Sequence, residues 1–103
     1  MRIVHSNCPP EKAGTIAETL VEERLAACVN VLPGVRSTYR WKGKVEHDAE
    51  TTLLVKTSVR TLERCVARLR ELHPYEVPEI VVVTPDVAAS FQPYVRWVRE
   101  ETV

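Results

Sequence analysis

At 103 residues the chain has room for one domain around one modest core. With 45% hydrophobic and 27% charged residues it falls among ordinary globular sequences. Fourteen basic residues balance fourteen acidic ones, which argues against electrostatic binding of nucleic acid or an anionic membrane surface.

No apolar run approaches the length of a membrane span, and Pro9-Pro10 interrupts the start of the chain before a signal-peptide stretch can form. The expected location is the cytoplasm. Cys8, Cys28 and Cys65 are odd in number and lack CxxC spacing, so neither a disulfide scaffold nor a zinc ribbon is expected.

Arg2 to Asn7 contains Ile3 and Val4 and ends at a turn signal, so it predicts a first strand. Pro9-Pro10-Glu11 then opens a helix, because proline is tolerated in the first turn and an early acid suits the helix dipole. Ala13, Ile16, Ala17, Leu20 and Val21 recur at helical spacing.

From about Val29 to Thr57 a long hairpin is predicted. Val31, Val35, Ser37, Tyr39 and Trp41 hold the odd positions before Gly43, and Val45, Ala49, Thr51, Leu53 and Val55 hold them after it. Such period-two alternation marks half-buried strands. The even positions carry Arg36 and Arg40 on one arm and Glu46, Asp48 and Glu50 on the other, so folding at Gly43 predicts opposite charges across the ribbon. Two registers keep this parity, one pairing 40 with 46 and 36 with 50, the other pairing 40 with 44 and 36 with 48. Pro33-Gly34 interrupts the first arm as a bend or bulge. Arms of a dozen residues exceed what this chain can cover with its own helices, so the far end, carrying Tyr39 and Trp41, is expected to project and meet another copy.

Thr57 or Ser58 is placed to cap a second helix with Leu62, Cys65, Val66, Leu69 and Leu72 on its apolar side; Pro74 ends it near Leu72. Ile80 to Val83, four β-branched residues in a row, predicts a strand covered on both faces. A last helix is expected from about Ser90, with Phe91, Tyr94, Trp97 and Val98 facing inward. The order β-α-β-β-α-β-α specifies an α+β, ferredoxin-like sandwich over residues 1–103, with an antiparallel four-stranded sheet, helices on one face and an additional C-terminal helix.

No glycine-rich phosphate loop, GxSxG, HExxH or EF-hand pattern is present, and Cys8-Pro9-Pro10 offers few free backbone N–H groups to an anion. Nothing here argues for an enzyme. Among soft and borderline metal ligands, Cys65 reads as core and Cys28 as packing at a helix–strand junction. Cys8 is placed in a turn, and His47 on the ribbon surface. His73 sits at a helix end, where it can cap the last carbonyls or bind a metal. If first and last strands are neighbours, His5 and His73 approach each other near Glu79. One chain offers too few converging ligands for a closed site, so a site shared among subunits, or an open one, suits these residues better.

Leu25-Ala26-Ala27-Cys28-Val29-Asn30, Pro33-Gly34, Tyr39-x-Trp41-x-Gly43, Leu53-Leu54-Val55-Lys56-Thr57, His73-Pro74-Tyr75-x-Val77-Pro78-Glu79-Ile80 and Tyr94-x-x-Trp97 follow one another in order. Together they resemble the CutA family of divalent-cation tolerance proteins over nearly the whole chain. The resemblance implies a homotrimer assembled through the long hairpin and a link to copper and other divalent metals; the leading reading is a trimer that binds copper, or else zinc, weakly and without catalysis. The resemblance also implies metal ligation by His73, by Cys28 of the AAC stretch, and by His5, which stands where some relatives carry a cysteine; Leu72 replaces a second histidine of some relatives. A second reading is a PII-like trimeric regulator that binds a small molecule in intersubunit clefts, with Tyr39, Trp41, Tyr75, Glu79 and Trp97 at cleft or interface.

Overall fold

The computed structural model describes Met1–Val103 in full. Seven elements follow one another: β1 (Arg2–Cys8), α1 (Pro10–Glu22), β2 (Cys28–Trp41), β3 (Lys44–Thr57), α2 (Leu62–Leu72), β4 (Val81–Val83) and α3 (Gln92–Glu101). The strands form one antiparallel sheet in the order β2-β3-β1-β4. This is the arrangement expected of two split β-α-β units, with first and last strands adjacent. No helix is long and apolar enough to cross a membrane.

Val4 and Cys8 of β1 and Leu53 and Val55 of β3 share one side of the sheet and are fully buried. Ala13, Ile16 and Leu20 of α1 and Cys65 and Leu69 of α2 close over them in a single cluster, as their helical spacing requires. Burying five large aliphatic side chains completely (Val4, Ile16, Leu20, Leu53 and Leu69) stabilises the fold by about 1.5–3 kcal/mol each before chain entropy is counted. The opposite side of the sheet, with Ile3, His5, Asn7, Thr52 and Leu54, is not covered by α1 or α2.

The hairpin forms, but neither predicted register does. Lys42 and Gly43 both have positive φ, 49° and 80°, and make a two-residue turn, the primed geometry that matches strand twist. Trp41 therefore pairs with Lys44, Arg40 with Val45, Tyr39 with Glu46 and Arg36 with Ala49. The expected Arg40–Glu46 and Arg36–Glu50 pairs are absent because a turn of two residues sets odd numbers against even ones. Basic and acidic side chains thus occupy opposite faces of the ribbon.

A bulge reconciles this register with the core. Pro33 and Gly34, the latter at φ 79°, stand against Thr51 alone. Odd residues of β2 consequently change sides there. Val29 and Val31 belong to the helix-covered face, whereas Val35, Ser37, Tyr39 and Trp41 belong to the open one.

Four further expectations are corrected. Thr57 and Ser58 do not cap α2: Thr57 donates to the Leu25 carbonyl and Ser58 to Thr61, whose residue is the N-cap. Val81, Val82 and Val83 form an edge strand and stay exposed in the single chain rather than covered on both faces. On α3 only Val98 is buried; Phe91, Tyr94 and Trp97 face outward because the helix rests on the rim of the sheet. Cys8, placed in a turn by sequence, ends β1 fully buried, and burial is the main cause that pushes its thiol pKa up.

Candidate functional site

Pro74 ends α2 and releases residues 73–80 as a connector across the end of β1. His73 fastens its start. The Asn7 carbonyl accepts from His73 Nε2 at 2.8 Å, and His73 Nδ1 accepts from the Tyr75 backbone N–H at 3.2 Å. These partners fix the neutral tautomer with the proton on Nε2. Further along, Tyr75 donates through its hydroxyl to Glu50 Oε2 at 2.9 Å. Glu79 closes the far end, with one oxygen 2.5 Å from His5 Nδ1 and the other accepting from Asn7 at 3.2 Å.

Between this connector and the open face of the ribbon lies a cleft of about 630 Å³. Its walls include Tyr39, Trp41 and Tyr75, and its polar groups are mainly the carboxylates of Asp48, Glu50, Glu76 and Glu79. No lysine, arginine or histidine lines it. The size lies within the range of small-molecule sites. Tyr39 donates to Asp48, a bond that raises the Tyr39 pKa to about 12. The Tyr75 hydroxyl is also raised, first by burial and then by its bond to Glu50.

Of the residues singled out by sequence, four meet here: Tyr39, Trp41, Tyr75 and Glu79. Trp97 does not; it stacks on Tyr94 of α3 with ring centroids 5.6 Å apart. His5 meets Glu79, as expected from neighbouring first and last strands. His73 directs both ring nitrogens to backbone groups, and Cys28 stands half-buried near Tyr94 on β2. His47 bonds Thr38 on the ribbon surface, and Cys65 is core, as its position on the apolar stripe predicts.

No group of three or more His, Cys, Asp or Glu side chains converges as a metal site would require. His73 would ligate only after giving up one of its two bonds. A single chain therefore does not complete a metal centre.

Sequence reasoning missed Asp48, Glu50 and Glu76 as site residues. The alternating Glu46-x-Asp48-x-Glu50 was the available signal, but it reads equally well as a partner for the opposite arginines.

The family model described as CutA1 divalent ion tolerance protein matches residues 2–101. The divalent-cation tolerance protein CutA of Thermus thermophilus is 51% identical over 92 residues, which covers 89% of this chain and 87% of that protein. Human Protein CutA is 45% identical over 96 residues; the match spans 92% of this chain but only 52% of the human one. Among solved structures, the PII-like protein CutA from Nostoc in its apo form superposes with a TM-score of 0.97 at 48% identity, covering 100% of this chain and 98% of that one. The Thermus structure gives 0.92 at 48% identity, with both chains fully covered. On the extent of the family match and on these identities, the chain belongs to the CutA1 divalent ion tolerance family.

Proposed function

We propose that residues 1–103 act as one domain in a cytoplasmic homotrimer that serves divalent-cation homeostasis, binding copper or another divalent ion such as zinc weakly and without catalysis. The observation that carries this reading is the state of His5. Glu79 holds its Nδ1 at 2.5 Å and leaves Nε2 as the available donor on the open face of the sheet, the way carboxylates orient ligating imidazoles. Further donors then come from other copies, with Cys28 and a rearranged His73 as the remaining candidates within the chain. Assembly through the ribbon is supported by its reach and its exposed apolar residues. The molecule is 44 Å long against 22 Å in its smallest extent, and Trp41, Val45, Val81 and Val83 lie uncovered.

Calorimetry with copper(II) and zinc on the wild type, His5→Ala and His73→Ala tests the metal reading. Heat lost in His5→Ala supports it; indistinguishable traces for all three proteins refute it. Light scattering tests assembly, with three times the chain mass of 11.7 kDa expected.

A second reading, a PII-like regulator that takes up a small molecule, is favoured by one observation. The cleft has the volume and aromatic walls of a ligand site. A melting shift with a small organic ligand but not with metals would favour it.

A further inference from the structure

The C-terminal end of α3 is held by side chains from two distant turns, the one between α1 and β2 and the one between β3 and α2. Arg24 donates through Nε to the Glu101 carbonyl at 3.2 Å and through a terminal nitrogen to that of Glu100 at 2.9 Å. A terminal nitrogen of Arg60 donates to the carbonyls of Arg99 and Thr102, both at 2.8 Å. Thr102 is buried, with its Oγ1 2.8 Å from Ser58 Oγ. Many helices satisfy these last carbonyls with a left-handed glycine and their own backbone. Arg24 itself occupies such a left-handed position, φ 57°, one residue past the C-cap of α1. Glycine would sit there without strain; the arginine adds the clamp on α3. The helix is otherwise hardly attached. Only Val98 of its ten residues is buried, and α3 contributes nothing to the core cluster. Tyr94 turns its hydroxyl toward the Cys28 thiol on β2.

We infer that α3 is a strap latched at one end by Arg24 and Arg60, which opens as a unit off a sheet that stays folded and in doing so bares Cys28. Local opening is easiest where little apolar surface is buried, and α3 buries one side chain. Its latch is made largely of bonds from exposed arginines to carbonyls, which water replaces at small net cost. All of these bonds lie at the same end, so their loss frees the whole helix. What remains is self-sufficient. The turn at Arg24 keeps its own bonds, from the N–H groups of Arg24 and Leu25 to the carbonyls of Val21 and Leu20, the pairing of a Schellman close. The sheet keeps every member of its core cluster. The device stands apart from the metal reading above, and its test uses no metal.

The experiment is amide hydrogen exchange on the full chain, at one protein concentration and in urea below the unfolding transition, with Ellman's reagent following Cys28 in parallel. Relative to unprotected rates, amides of residues 92–101 are expected to exchange about tenfold or more faster than those of 62–72, and with little dependence on urea. Arg24→Ala keeps the Cβ, and so the backbone preference, but removes two bonds. Exchange of α3 and labelling of Cys28 are both expected to quicken by roughly tenfold. Ile16→Val opens a small gap in the core cluster, to which α3 does not belong. It is expected to speed α2 exchange by roughly fivefold and to leave α3 unchanged. Should Arg24→Ala fail to fold by circular dichroism, Arg60→Ala is expected to act in the same direction. Protection of α3 equal to that of α2, or a parallel change of both helices in Ile16→Val, overturns the inference. So does unaltered α3 exchange or Cys28 labelling in the folded latch variant.

Discussion

Replacing Tyr75 by Phe removes one atom from the wall of the cleft and tests whether the connector is held by the bond it makes there. The ring remains, as does its contact with His73 at 4.8 Å between centroids. What disappears is the 2.9 Å bond to a carboxylate whose residue is 7% exposed. Hydrogen bonds to charged groups contribute about 1.5–3 kcal/mol. Tyr75 itself is 39% exposed, so water can reach the freed oxygen, which places the loss at or just below the lower end of that range, at about 1–1.5 kcal/mol. For a chain of this size that lowers Tm by roughly 5–10 °C. The assay is thermal unfolding at one fixed protein concentration, since subunit association would also move Tm. Wild type, Tyr75→Phe, Glu50→Gln and the double variant form a cycle. A coupling energy of zero, or a Tyr75→Phe Tm within about one degree of wild type, would refute the view that this bond fastens the connector.

Three other outcomes follow from the same geometry. All three tyrosines have raised pKa values. A raised pKa means the neutral phenol is favoured in the folded state; that contribution is complete below the ordinary value of 10.0 and fades as pH climbs through about 12 for Tyr39. Absorbance titration should therefore show less than half of the tyrosines ionised at pH 10 in the folded state, and half or more ionised there without unfolding would contradict it. Gly43→Ala should cost about 1–2 kcal/mol because φ is 80° although the added methyl meets open space. Gly14→Ala, in α1 with equally open space, should instead raise stability by about 0.5–1 kcal/mol; urea unfolding of both variants checks the opposite signs. Ellman's reagent at pH 8 should label at most one thiol per native chain, Cys28, because Cys8 and Cys65 are fully buried and burial raises both thiols, Cys65 to about 11. Two labelled thiols before unfolding would count against the packing described.

The order of the elements was legible because local chemistry announces it. Pro10 starts α1, Pro74 stops α2, and the apolar spacing of Ile16, Leu20, Cys65 and Leu69 names the buried faces. Register was not legible, because it turned on Lys42 accepting a left-handed conformation that side chains with a Cβ normally avoid. Counting alternation straight through Pro33-Gly34 then carried the parity past an extra residue. Phe91, Tyr94 and Trp97 misled by size: their spacing fits a core, but only Val98 reaches one. For the cleft, sequence supplied its aromatic half and Glu79. The acidic half, Asp48 and Glu50, was spoken for in advance by a salt-bridge pattern that the two-residue turn dissolved.

The bulge has a mechanical consequence. Trp41 stands seven residues beyond Gly34, a lever arm of about 23 Å at ~3.3 Å per residue. Pivoting the ribbon by ~10° about that fulcrum would swing Trp41 by about 4 Å, enough to open or pinch the gap to Tyr75 while the buried ends of β2 and β3 stay still. In such a pivot the aperture would be set by a glycine that lies outside the lining of the cleft.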